Sequence, residues 1–136
     1  MGADGQRHGG WFVLEGAEGP ALALPVELIG RLEPVSSWVP VPGAPAGVVA
    51  LAEVRGRPTT LLDPALWTGT PSPAESAPGQ ALLLASPRDH LALARWPETR
   101  TLPWEPWREL PDGTTVLDGG TLERTLAEMT RSGGPA

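Results

Sequence analysis

The stretch Val39 to Asp63, VPVPGAPAGVVALAEVRGRPTTLLD, decides how this chain folds. Together with Pro34, its prolines Pro40, Pro42 and Pro45 forbid a regular central strand ahead of Val48, because each proline removes a donor from the ladder. Val48–Val54 (VVALAEV) then reads as a buried strand, rich in β-branched and aliphatic residues and free of breakers. Arg55-Gly56-Arg57 is a turn, and Thr59–Leu62 is the returning partner of a hairpin.

Working outward, proline and glycine punctuate the chain at the rhythm of short strands rather than long helices. Upstream, Trp11–Glu15 is a strand, Gly16–Gly19 a turn and Ala21–Leu24 a second strand. Val26–Leu32 mixes the periods of strand and helix, and either reading fits it. Downstream, residues 68–80 (TGTPSPAESAPGQ) carry no large apolar residue and form a linker loop. Ala81–Ala85 and His90–Trp96 form a hairpin through Ser86–Asp89. Pro103 and Pro106 exclude a regular strand over 103–107, leaving Trp104–Leu110 irregular. Pro111-Asp112-Gly113 is a tight turn, and Thr114–Leu117 a short strand. Thr121 then caps a C-terminal helix with Leu122, Leu126 and Met129 on one face.

A mainly β domain over residues 11–131 follows, with tails at 1–10 and 132–136. The expected core is Phe12, Leu14, Leu22, Leu24, Val49, Leu51, Val54, Leu61, Leu82, Leu84, Leu91, Leu93, Val116 and Leu126. The chain's 136 residues suffice for one such core, and with no cysteine it has neither disulfides nor a thiolate metal site.

Charge and composition exclude several function classes. All ten basic residues are arginines scattered from Arg7 to Arg131, against sixteen acidic ones, so a nucleic-acid partner is not expected. No apolar run approaches the ~18 residues of a membrane span, and the N-terminus lacks a signal pattern, so no membrane insertion and a cytoplasmic location are expected. The absence of Lys, Asn and Tyr reflects GC-rich codons, which also accounts for the many glycines and prolines.

No constellation for chemistry emerges. His8 lies in the N-terminal tail and His90 at a turn, so neither has the orienting neighbour that a general base needs. Phosphate loops and zinc-protease motifs are missing, and Asp112 and Asp118 lack the alternating ligands of a calcium loop. No catalytic residue, metal or cofactor is expected. Six of the seven aromatics are tryptophans. Trp96, Trp104 and Trp107 serve either as core plugs or as anchors of an interface, since tryptophan combines large rigid area with one donor.

Val39–Asp63 resembles the CheW family of chemotaxis coupling domains, with Pro45, Val48, Leu51, Val54, Arg55, Gly56 and Asp63 in register without a gap. Trp11–Glu15 resembles the family's opening strand, and Leu24–Leu32 the segment that follows. Ala81–Ala85 and Leu91–Arg95 look like its second-half hairpin, and Val116–Asp118 with the Leu122/Leu126 helix like its ending. The resemblance implies two small five-stranded SH3-like barrels around a shared core, the first lobe about 11–67 and the second about 81–131. It also implies a non-enzymatic adaptor between the cytoplasmic tip of a methyl-accepting chemoreceptor and the regulatory domain of a CheA-type histidine kinase.

Carried over position by position, the receptor-facing residues are Ile29, Arg31, Ala50, Arg55 and Gly56, with Trp96, Trp104 and Trp107 as a possible second interface. Arg31 stands where the family has an acidic residue, Ala50 where it has glycine, Glu53 where it has asparagine and Thr60 where it has proline. Trp96 replaces a Val-Asp pair, and the stretch from Leu102 to Thr114 is shorter than the family's crossover. The trimmed second lobe opens the alternative of an accessory CheW-like protein that binds receptor but not kinase. A small β-barrel holding an apolar ligand is the reading from a different class.

Overall fold

The computed structural model describes residues 10–15, 21–41, 43–44, 46–69, 79–96 and 99–132. Ten strands dominate it: β1 Trp11–Glu15, β2 Leu22–Pro25, β3 Ile29–Pro34, β4 Ser37–Val39, β5 Val48–Val54, β6 Arg57–Leu62, β7 Gln80–Leu84, β8 Leu91–Arg95, β9 Arg100–Trp104 and β10 Thr115–Val116. A single 3-10 turn, Val26–Leu28, precedes β3 and explains the mixed period there. Two helices complete the described residues, α1 Ala65–Thr68 and α2 Gly119–Ser132. The expected turn at 16–19, His8 and residues 70–78 of the expected linker lie outside the described residues.

The strands form two sheets, ordered β10-β2-β1-β9 and β3-β7-β8-β6-β5-β4. The sheets do not divide at the 68–80 segment. The N-terminal strands β1 and β2 pair with the C-terminal β9 and β10, while β3–β8 build the larger sheet. In that sheet β3 and β4 are two arms of one bent run. The Val35 N–H donates to the Gly79 carbonyl beside β7, and the next N–H, of Ser36, donates to the Glu53 carbonyl on β5. The chain thus changes partner at the bend and curls the sheet until its ends meet. With β3 and β4 taken as one bent strand, this sheet has five strands, drawn from Ile29 to Arg95 rather than from either expected lobe (about 11–67 and about 81–131). The other sheet has four among the described residues, because residues 105–114 between β9 and β10 form turns and irregular chain.

Leucines join the sheets. Leu14, Leu22 and Leu24 of the smaller sheet pack with Leu62, Leu82, Leu84, Leu91 and Leu93 of the larger one, and with Leu117 and Leu122. The α2 stripe is as expected, with Leu122 buried and Leu126 and Met129 packed on this core. Its cap is one turn earlier than expected: the Asp118 carboxylate, not Thr121, accepts the Thr121 N–H at 2.8 Å. A second cluster fills the curled sheet, where Ala50, Ala52, Ala81, Ala92 and Ala94 leave room for the Trp96 ring.

Several expectations are corrected here. Leu51 is 41% exposed and Val116 37% exposed, so neither is core; Phe12, Val49 and Leu126 are half-buried. On β5 the inward residues are Ala50, Ala52 and Val54, and a pattern with apolar residues on both faces did not fix which face turned in. Gly10 belongs to the fold rather than to a tail: it is buried against the Trp104 carbonyl at φ 111°, and its own carbonyl accepts from Val26 N–H. Pro103 lies within β9, opposite Phe12. A proline is tolerated there because β9 is an edge strand.

Candidate functional site

The hairpin β5–β6 turns through Arg55 and Gly56, both at positive φ (53° and 75°). That is the backbone of a tight primed turn, whose first position favours Asn, Asp or Gly. An arginine there costs about 1–2 kcal/mol in the left-handed region. Its side chain leaves the turn and reaches across to β3, where Arg55 donates to Glu33 Oε2 at 3.1 Å. Arg31, two residues before Glu33, donates to the same oxygen at 3.3 Å. Both guanidiniums are more than half exposed, whereas Glu33 is only 15% exposed. The Arg55 hydrogen bond, assisted by Arg31, holds the Glu33 carboxyl below its usual range.

Beside this cluster lies an open hollow of about 400 Å³ at one end of the larger sheet. Val54, Leu83 and Leu84 floor it; Arg31, Arg55, Arg57 and Asp89 line its sides. Arg57 pairs with Asp89 at 3.5 Å, and both side chains are well exposed. A second, shallower groove lies around β4, between Trp38, Val39 and Leu51. All three are at least 41% exposed, and they make an apolar strip at the edge of the sheet. Trp38 was not singled out in the sequence because the surrounding prolines hid a three-residue edge strand.

Of the five receptor-facing candidates, the structure brings Arg31 and Arg55 together, with Gly56 exposed beside them. Ile29 is half-buried against the shared core, and Ala50 is fully buried and offers no surface. The three tryptophans do not converge. Trp96 is buried among the alanines, which is the core-plug alternative. Trp104 donates to the Glu109 carbonyl at 3.2 Å, and the Arg108 guanidinium stacks 3.7 Å from its ring centre. Trp107 is 82% exposed. Glu105 pairs with Arg108 at 3.9 Å, and His90 is exposed at its turn. Among the described residues no group of acidic or histidine side chains is placed to hold a metal, and no helix is long and apolar enough to cross a membrane.

Two β-sheets sharing a leucine core and joined by a C-terminal helix packed on it define a CheW-like fold. The chain is similar to the crystal structure of the scaffolding protein TtCheW from Thermoanaerobacter tengcongensis, with a TM-score of 0.55 and 12% identity. The match covers 82% of this chain and 88% of that one. No family model matches the sequence, and no curated protein matches it.

Proposed function

We propose that this chain is a non-enzymatic adaptor of a chemotaxis-like signalling pathway that binds the cytoplasmic tip of a chemoreceptor. The observation that carries this reading is the Arg55–Gly56 turn on a CheW-like fold: a strained arginine is held beside Glu33 and Arg31 at the open end of the larger sheet. An arginine fork is rigid and always charged, so it fixes the register of a docked helix as well as adding energy. The hollows around the site are open to solvent and arginine-rimmed or shallow, which favours a protein partner over an enclosed apolar ligand.

The short connection between β9 and β10 favours receptor binding without strong kinase binding, since the smaller sheet lacks a fifth strand among the described residues. The test titrates a chemoreceptor helical hairpin and a CheA-type regulatory domain separately against the full chain. Binding of the hairpin with weak or absent kinase binding is expected. Failure to bind the hairpin overturns the adaptor reading. Sub-micromolar affinity for the kinase domain makes the protein an ordinary receptor–kinase coupler instead.

A further inference from the structure

The hollow floored by Val54, Leu83 and Leu84 has an unusual charge balance for this protein. The whole chain carries a net charge of −6, yet three arginines meet at this one end of the larger sheet. Among the described residues two carboxylates answer them there. Glu33 is shared by Arg31 and Arg55 at a single oxygen, so each guanidinium keeps most of its donors for another acceptor. Asp89 meets Arg57 at 3.5 Å, longer than the ~2.7–2.9 Å of a firm charge-assisted bond. Three positive charges against two negative leave one positive charge over a hollow whose lining is polar and apolar in about equal measure.

We propose that this hollow accepts one carboxylate from a protein partner: an acidic side chain flanked by apolar residues on a docking helix. The proposal rests on the adaptor reading and names the chemistry by which the partner is chosen. A single surplus charge suits a carboxylate and falls short of what a polyphosphate needs, and the half-buried Leu83 in the lining offers a contact to an apolar neighbour of that side chain. Arg31 decides the sign. With arginine at that position, a helix presenting a cation meets repulsion, so the site discriminates among partner tips by charge as well as by shape.

The side-chain Nε–Hε signals of Arg31, Arg55 and Arg57 in the labelled full-length chain report on the site directly. The probes are a soluble Ala/Leu/Gln helical peptide with one central Glu, the same peptide with Gln in its place, and inorganic pyrophosphate. The Glu peptide is expected to move all three signals and to bind at least about tenfold more tightly than the Gln peptide. An Arg31→Glu variant is expected to lose this preference while its backbone amide spectrum stays folded. Equal binding of the two peptides overturns the proposal, and so does pyrophosphate binding more tightly than the Glu peptide, which marks a phosphate site. A receptor hairpin that binds wild type and Arg31→Glu equally well also overturns it, while leaving the adaptor reading standing. Conversely, Glu-selective peptide binding by a chain that ignores receptor hairpins supports the carboxylate site and removes the adaptor reading.

Discussion

Trp67 of α1 donates its indole N–H to the hydroxyl of Thr125 on α2 at 2.9 Å, tying together residues 58 positions apart. Both ends of this bond are half-buried, and Thr125 in turn donates to the Thr121 carbonyl. The bond seats the C-terminal helix over the shared leucine core. Replacing Trp67 with Phe keeps most of the ring and removes the donor, so it is expected to cost about 1 kcal/mol in urea unfolding. No change in the midpoint would mean that packing alone seats α2.

Leu51 and Leu82 separate the exposed face of the larger sheet from its core. Leu82 has no exposed surface, and Leu82→Ala is expected to cost about 2–5 kcal/mol. Leu51 stands outward beside Val39, and Leu51→Ala is expected to change stability by no more than about 0.5 kcal/mol. Denaturant midpoints of the two variants, measured side by side, check this ordering.

Most strands, the hairpins and the C-terminal helix were legible because turn residues bracket them; β4 and β9 were not, because prolines flank the one and Pro103 lies within the other. What was hidden is which side of a uniformly apolar strand turns inward. VVALAEV carries small alanines on the buried side and its one leucine on the exposed side, the reverse of what hydrophobicity favours. The inverted order follows from Trp96, whose ring takes the volume that larger side chains on β5 would fill. The Arg55–Gly56 turn stood out in the sequence, whereas the convergence of Arg31 and Arg57 on the same hollow did not. That convergence depends on curvature, which brings β3 near the end of β5 although three strands lie between them in the sheet.

Arg55 separates binding from stability. Arg55→Gly removes the cost of the left-handed backbone while adding chain freedom to the unfolded state, and these offset to within about 1 kcal/mol. Binding of a receptor hairpin is expected to weaken by about 1.5–3 kcal/mol in the same variant. Calorimetric titration and thermal melting together check it. A large drop in the melting midpoint with unchanged affinity would assign Arg55 a purely structural role.

Asp118 makes the docking of α2 sensitive to acid. The hydrogen bonds from Thr121 hold its carboxyl below the usual aspartate value of about 4. A lowered folded-state value means that this contribution is complete above pH ~4 and is lost as pH falls through the depressed value. Asp118→Ala is expected to cost about 1 kcal/mol near neutral pH. The gap between wild type and variant should close as unfolding is repeated at progressively lower pH; a gap that persists in strong acid would rule the charged cap out.

The pairing of β1 with both β2 and β9 has a consequence for how the protein is made. A ribosome delivers Trp11–Glu15 well before Arg100–Trp104 and Thr115–Val116. Until then β1 and β2 are a two-stranded hairpin, which is marginal on its own in water. The larger sheet has all its strands once Arg95 has emerged, so it is complete while the smaller one still waits for its outer strands. A nascent chain halted just past Trp96 therefore holds one finished sheet and one hairpin without its outer strands, with the Leu117 and Leu122 part of the shared leucine core still missing.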